Sequence, residues 1–132
     1  MAHILYVDDC PMSRHTVQTV LQKSGHQVTL ADSAEQGMKL IEKTSLHFDL
    51  FMIDFDMEET HGIQMGKMIR SETRYQQTPM VMHTACNLPD IKNAATQAGF
   101  NDFFVKGEYD RQEMLDRIHS LLLDANAFKQ AG

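Results

Sequence analysis

Short apolar runs and longer amphipathic segments alternate along this chain, and the alternation restricts its fold more than any other feature. The apolar runs have the length and composition of β-strands, whereas the segments between them carry apolar residues at helical spacing. Strict alternation predicts right-handed crossovers and a parallel sheet covered by helices on both faces, an α/β, doubly wound fold. The predicted strands are 3–7, 26–31, 49–54, 79–84 and 101–106, and the predicted helices are 11–25, 33–44, 62–72, 88–99 and 110–128.

Several of these elements have local signals of their own. The run Leu50–Ile53 is apolar throughout, which is typical of a strand buried on both faces of a parallel sheet. The run 26–31 contains polar positions and is expected at an edge of the sheet. Asp110 and Glu113 have the spacing of a helix capping pair. Gly66 falls inside the third helix and is expected to weaken it by about 1 kcal/mol.

The totals are those expected of one cytoplasmic domain. A chain of 132 residues can enclose one core. The net charge of −6 argues against binding of nucleic acid or an anionic membrane by the surface as a whole. The N-terminus lacks the pattern of a signal peptide, and no run is as long as a membrane span. Cys10 and Cys86 are too few for a disulfide scaffold and are expected to be reduced.

Charged and hydroxyl side chains stand at the ends of four of the five predicted strands. Asp8 and Asp9 follow the first strand, and Asp54 ends the third. Thr84 ends the fourth strand, and Lys106 ends the fifth. Because all strands of a parallel sheet end at one edge, where ligands of such folds bind, we expect these side chains to converge on one crevice.

The chemistry of such a crevice favours a phosphoryl site. Two carboxylates about 5 Å apart repel by roughly 3 kcal/mol at an effective dielectric constant near 20. A divalent cation would remove this repulsion, and an all-oxygen ligand set suits Mg²⁺. A cation, a lysine and a hydroxyl group around one carboxylate can also neutralise a phosphoryl group while the carboxylate attacks phosphorus.

Each of these residues also has a structural explanation when it is taken alone. Paired aspartates often cap a turn, threonine is common in strands, and a single lysine usually lies at the surface. Only their joint placement makes the structural explanation improbable. For His83, by contrast, a packed or hydrogen-bonded strand histidine is favoured over a catalytic one, and His61 is expected to be solvated.

Four segments together resemble the receiver domain of bacterial two-component response regulators. They are "ILYVDDCPMSR", "DLFMIDFDMEETHG", "MVMHTA" and "AGFNDFFVK", and the resemblance extends over nearly the whole chain. It implies a flavodoxin-like sheet with the strand order 2-1-3-4-5. It also implies a single receiver domain over residues 1–132, similar to the chemotaxis receivers, with no output domain.

The resemblance assigns roles to the acidic residues. Asp54 is identified as the phosphoryl acceptor. Asp8, Asp9 and Asp54 would hold Mg²⁺, with the backbone carbonyl of Asp56 as a further ligand. The phosphoryl donor would be a histidine kinase or a phosphotransfer protein.

The resemblance also implies a switch. Thr84 would bind a phosphoryl oxygen and Lys106 would pair with the phosphate, while the small Ala85 leaves room for it. Phe103 stands where the family places a switch aromatic, often Tyr, and is expected to lie substantially inward before phosphorylation. The surface read by an unknown downstream protein would be formed by the fourth helix, fifth strand and fifth helix.

Two positions depart from the family pattern. Glu58 stands where the family usually has proline, so the loop after the third strand is more acidic than usual. Gly107 replaces the proline that usually follows the lysine in a cis peptide. A cis bond before a residue other than proline costs about 3 kcal/mol, so we predict a trans peptide between Lys106 and Gly107.

Two other functions compete with phosphorylation-dependent signalling. The segment "DFDME" has the Asp-x-Asp spacing of haloacid-dehalogenase-like phosphatases, in which one aspartate attacks phosphate and the other is the general acid. That family prefers Thr or Val at the position of Glu58, which disfavours this alternative. A degenerate receiver acting only through protein contacts is disfavoured by the intact set of acids, threonine and lysine. The favoured prediction is a signalling module that catalyses only its own phosphorylation and dephosphorylation.

Overall fold

A computed structural model describes residues 1–58 and 60–131 of the chain. These residues form five β-strands, five α-helices and one short 3₁₀ helix, Thr73–Tyr75, which the sequence did not predict. In chain order the strands and α-helices are β1 His3–Val7, α1 Pro11–Lys23, β2 Gln27–Ala31, α2 Ala34–Glu42, β3 Leu50–Ile53, α3 Gly62–Arg70, β4 Met80–Thr84, α4 Pro89–Gln97, β5 Asp102–Val105 and α5 Arg111–Ala131. Within the described ranges, no helix combines the length and the apolar character needed to cross a bilayer.

The strands of the described chain form one parallel sheet in the order β2-β1-β3-β4-β5. This order confirms both the doubly wound fold predicted from the alternation and the arrangement implied by the resemblance. The strand β2 lies at an edge, as its polar positions predicted. Strand β2 lies on one side of β1, whereas β3, β4 and β5 lie on the other side. The connections that follow β1 and β3 therefore run in opposite directions across the sheet and leave a crevice at the carboxyl ends of these two strands.

The sheet divides the core into two apolar clusters. Leu5 and Val7 of β1 face α2, α3 and α4, whereas Ile4 and Tyr6 face α1 and α5. All four are buried completely, because side chains alternate along a strand and both faces are covered. Tyr6 is the polar member of this set, and its hydroxyl group therefore needs a hydrogen-bonding partner inside the protein.

The element boundaries differ from the predicted ones by small amounts that have local causes. The strand β4 begins at Met80 because Pro79 has no backbone N–H, although the Pro79 carbonyl still accepts a hydrogen bond from Phe51. The capping signal of α5 is confirmed, since the Asp110 carboxylate accepts the N–H of Glu113 at 2.7 Å.

Gly66, which weakens α3 in isolation, has a packing role in the folded chain. A Cβ atom at this position would lie 2.4 Å from the ring of Phe100. The missing side chain therefore lets α3 pack directly against this buried aromatic ring.

Arg70, at the end of α3, connects the segment between α3 and β4 with the loop between α4 and β5. One terminal nitrogen of its guanidinium group donates to the carbonyl oxygens of Tyr75 and Thr78 at 2.7 and 2.6 Å. The other donates to the carbonyl of Gly99 at 2.8 Å and to the side chain of Asn101. One cation thus satisfies four oxygen atoms that different parts of the chain bring together.

Replacing Arg70 with methionine should lower the free energy of unfolding by about 2–4 kcal/mol, since partly buried carbonyl groups lose a charged donor. The control is Lys67→Met on the exposed side of the same helix, which should change stability by less than about 0.5 kcal/mol. Urea unfolding of both variants checks this expectation. Equal stabilities of the two variants would show that Arg70 does not hold these loops together.

Candidate functional site

The strand ends form the crevice that the sequence predicted. Asp8 follows β1, Asp54 follows β3, Thr84 ends β4 and Lys106 follows β5. Asp8, Asp54 and Thr84 are buried, with 0%, 4% and 1% of their surfaces exposed, whereas Asp9 is exposed at the rim. A cleft lined by Asp9, Asp54, Thr84 and Lys106 opens above them to solvent. The site therefore has a buried floor and an open entrance.

The structure brings three of the predicted metal-binding carboxylates together. Each of Asp8, Asp9 and Asp54 offers one oxygen atom, and these atoms all lie within 4.8 Å of one another. Asp56 is exposed and lines the same cleft, but its side chain is not part of this group. The expectation that Asp56 contributes its backbone carbonyl stays a prediction.

Lys106 lies between the two buried acids. Its Nζ is 2.7 Å from Oδ2 of Asp8 and 3.6 Å from Oδ2 of Asp54. The backbone N–H of Lys106 donates to the carbonyl of Thr84 at 2.8 Å, so the residue continues the β4–β5 pairing by one position. The lysine is thereby held close enough to compensate either carboxylate.

The two buried acids differ in their readiness to ionise. Burial and the neighbouring charge of Asp8 raise the pKa of Asp54 to about 7, against the opposing effect of Lys106. Burial also disfavours the charge of Asp8, but hydrogen bonds from Lys106 and Tyr6 outweigh it and hold the pKa of Asp8 below its ordinary value. Without a cation, Asp8 is therefore ionised at neutral pH, whereas Asp54 gains and loses its proton near neutral pH.

The loop after β5 confirms the prediction of a trans peptide. The described residues contain no cis peptide bond, so Lys106–Gly107 is trans. Gly107 has a φ of 82°, a left-handed conformation that is easy for glycine and strained for other residues. The chain thus places Lys106 through a glycine turn where the family usually uses a cis proline.

The loop after β3 contains Glu58, which stands where the family usually has proline, and the structure describes this loop only in part. Glu58 is exposed, whereas Met57 before it is buried in the core. Glu59, the last acid of this loop, lies outside the described residues. Gly62 packs directly behind the loop, because a Cβ atom there would lie 2.2 Å from the carbonyl oxygen of Asp54. The absence of a side chain at residue 62 therefore helps define the position of the Asp54 backbone.

The predicted switch residues lie on neighbouring strands. The hydroxyl oxygen of Thr84 accepts the backbone N–H of Cys86 at 3.2 Å. Phe103 of β5 is half-buried and packs against the cluster beneath α2, α3 and α4. The expectation that its ring lies substantially inward before phosphorylation stays a prediction.

The structure also tests the roles predicted for His83 and His61. His83 is buried and hydrogen-bonded through both ring nitrogens, to Tyr6 and Tyr109, which confirms the structural explanation. His61 is exposed as expected, and it also caps α3, since its ring nitrogen accepts the N–H of Gln64 at 3.3 Å. The sequence did not predict this cap or the partners of His83. The available signal was a tyrosine, Tyr6, in a strand expected to be buried.

Comparisons with known proteins agree with this geometry. The family model for the response regulator receiver domain matches residues 4–119. The chain is 31% identical over 116 residues to the CAI-1 autoinducer sensor kinase/phosphatase CqsS of Vibrio cholerae, a match that covers 87% of this chain. It is 30% identical over 105 residues to chemotaxis protein CheY1 of Helicobacter pylori, covering 78% of this chain and 83% of that protein. By contrast, the chain spans only 12% to 16% of the length of several larger curated relatives.

The likeness extends to solved structures. The chemotaxis protein CheY4 of Vibrio cholerae superimposes with a TM-score of 0.84 at 26% sequence identity. The match covers 92% of this chain and 98% of that one. The strands that carry the acidic site therefore have equivalents in a solved structure of the same architecture.

Proposed function

Since this chain belongs to the response regulator receiver domain family, a phosphorylation-based signalling module of two-component systems, we propose that its phosphoryl acceptor is Asp54. The observation that carries this assignment is the position of Asp54. Asp54 directly follows the central strand β3 and is 4% exposed. Its carboxylate lies beside a lysine and two further acids at the floor of an open cleft. In the transfer step, an Asp54 oxygen bonds to the phosphorus of a phosphohistidine while the P–N bond breaks and the imidazole leaves.

The acids of the site suit Mg²⁺. Asp8, Asp9 and Asp54 provide only oxygen ligands, and the exposure of Asp9 leaves room for bound water, as Mg²⁺ prefers. The backbone carbonyl of Asp56 would complete the protein's share of the ligands. Once bound, the cation would supply positive charge that lowers the pKa of Asp54 and offsets the charge of the phosphoryl oxygens.

Lys106 and Thr84 respond to the phosphoryl group. Lys106 now pairs mainly with Asp8 and has Asp54 within 3.6 Å, so a small movement would bring it to a phosphoryl oxygen. The hydroxyl oxygen of Thr84 accepts a hydrogen bond in this structure, which leaves its proton free to be donated. Phosphorylation would therefore draw both side chains toward Asp54.

The signal would leave through the surface formed by α4, β5 and α5. Movement of Thr84 vacates space behind β4, and the half-buried ring of Phe103 on β5 can rotate further inward to fill it. The donor would be a histidine kinase or phosphotransfer protein, which agrees with the kinases among the relatives. The module would catalyse only its own phosphorylation and dephosphorylation.

The acceptor function is tested by incubating the protein with acetyl phosphate. We expect the intact mass to rise by one phosphoryl group, mapped to Asp54, with a rate at least about tenfold higher in Mg²⁺ than in EDTA because the cation stabilises the transferring group. Equal labelling with and without the metal, or labelling of another side chain, would contradict the proposal.

The switch is tested by NMR of the protein with beryllofluoride and Mg²⁺, which mimic the phosphorylated state. We expect ring resonances of Phe103 to shift together with backbone resonances of α4, β5 and α5. Phe48, which is fully buried elsewhere in the core, serves as an internal reference and should not shift. Changes confined to α1 and α2 would show that the output surface is a different one.

A further inference from the structure

A chain of polar side chains crosses the otherwise apolar cluster beneath α1 and α5. Tyr6 of β1 lies within hydrogen-bond distance of Asp8, and its hydroxyl is 2.8 Å from Nδ1 of His83 on β4. Nε2 of His83 is in turn 2.5 Å from the hydroxyl of Tyr109, in the segment between β5 and α5. The chain therefore connects an acid of the phosphoryl site with the loop that leads into α5.

The number of available protons fixes which group donates and which accepts in each of these hydrogen bonds. The phenol of Tyr6 has a single proton, which it donates to Oδ2 of Asp8. Its oxygen can then only accept from His83, so Nδ1 of the imidazole must carry the ring proton. Nε2 is left as an acceptor, and Tyr109 must donate to it. Every donor thus points toward the carboxylate.

The electrostatics of the ring agree with this arrangement. His83 is 3% exposed, and burial lowers its pKa to about 4, with Lys106 acting in the same direction. The imidazole is therefore neutral at pH 7 and can donate from one nitrogen while accepting at the other. A neutral, aligned chain that ends on an ionised acid strengthens the hydrogen bond to that acid.

Asp8, the acid that the hydrogen-bonded side chains reach, accepts hydrogen bonds from few donors. Oδ2 of Asp8 accepts from Tyr6 and Lys106, and Oδ1 accepts the N–H of Cys10 at 2.9 Å. Under the proposed function, Lys106 leaves Asp8 for the phosphoryl group. Tyr6 then holds Oδ2 of a carboxylate that has no exposed surface.

We propose that Tyr6, His83 and Tyr109 are positioning residues for the phosphoryl site, a hydrogen-bonded chain that orients Asp8 for the cation and links it to the loop before α5. This inference rests on the proposed function, because it concerns the same site. Packing alone does not require these three polar side chains, since phenylalanine in place of the tyrosines and leucine in place of the histidine would fill the same space without burying polar groups. The loss of such supporting partners typically weakens metal binding by about 10–100-fold.

The first test determines the tautomer of His83 by NMR of the ¹⁵N-labelled wild-type protein. We expect protonated Nδ1 and unprotonated Nε2, as the direction of the chain requires. The opposite tautomer, or a ring protonated at both nitrogens at pH 7, would overturn the proposal. This measurement needs no variant and does not depend on phosphorylation.

The second test compares Tyr6→Phe with Tyr75→Phe. Both tyrosines are completely buried, but the hydroxyl of Tyr75 accepts the N–H of Phe48, away from the acidic site. Tyr6→Phe should weaken Mg²⁺ binding, measured by calorimetry, about tenfold. Tyr75→Phe should bind as the wild type does. Equal affinities of the two variants would overturn the proposal.

A conservative replacement separates positioning from packing. His83→Gln keeps one donor and one acceptor and should retain most of the Mg²⁺ affinity, whereas His83→Leu should lose about as much as Tyr6→Phe. Equal losses in both His83 variants would show that only packing matters. If the wild type is labelled at Asp54 and Tyr6→Phe binds Mg²⁺ normally, the positioning role fails while the proposed function stands. A wild type that is not labelled would contradict the proposed function itself.

Discussion

Replacing Asp54 with asparagine is expected to abolish phosphoryl labelling, a loss of more than about 100-fold in rate, because the variant lacks the attacking oxygen anion. The amide has almost the same shape as the carboxylate, so the surrounding acids and lysine should keep their places. Labelling by acetyl phosphate in Mg²⁺, followed by intact-mass analysis, measures the effect.

The control for this prediction is Asp116→Asn, which removes an exposed carboxylate on α5 that bonds to Gln112. It should be labelled at the wild-type rate. Labelling of the Asp54→Asn variant on Asp8, Asp9 or Asp56 would show that the acceptor has been assigned wrongly.

The same substitution is expected to stabilise the protein in the absence of metal, and the gain should depend on pH. In the folded state the pKa of Asp54 is raised to about 7, whereas in an unfolded chain it is near the ordinary value of 3.8. The contribution of protonated Asp54 to stability is therefore fully present below the unfolded pKa and is lost as the pH rises through the folded pKa. The amide of the Asp54→Asn variant cannot ionise, so we expect the variant's advantage over the wild type to grow between about pH 4 and pH 7 and to reach roughly 4 kcal/mol at pH 8.

Urea unfolding of both proteins in EDTA at several pH values measures this advantage. Asp116→Asn, at an exposed position, is the control variant for this comparison. Addition of Mg²⁺ should narrow the difference, since a cation that binds the folded wild type stabilises it by mass action. A constant difference from pH 4 to pH 8 would contradict the assignment of a raised pKa to Asp54.

The architecture could be predicted because the information for it is local. The alternation of apolar runs and amphipathic segments indicates which elements form, and parallel strands must present their carboxyl ends at one edge. From this, the convergence of Asp8, Asp54, Thr84 and Lys106 followed without any knowledge of distances. The strand order itself was inferred from the resemblance and not from the apolar pattern.

The replacement of the family's usual proline by Gly107 shows which features can be predicted from neighbouring residues alone. The trans peptide at Gly107 was predictable, because the cost of a cis bond depends only on the residue that follows it. The positive φ of Gly107 is likewise a property that glycine makes easy. The position of Lys106 between Asp8 and Asp54 was not predictable in this way, since it depends on three strands at once.

The sequence by itself thus determined the order and type of the elements, the edge of the sheet that carries the chemistry, and the residues that meet there. The tertiary structure alone decided which buried polar groups became partners. Tyr6 and His83 are 77 positions apart, and Arg70 bonds to loops up to 31 positions away. The physical reason is that a hydrogen bond depends on ångström-scale distances and on the direction of one proton. Such geometry arises only when strands distant in sequence pack into one core.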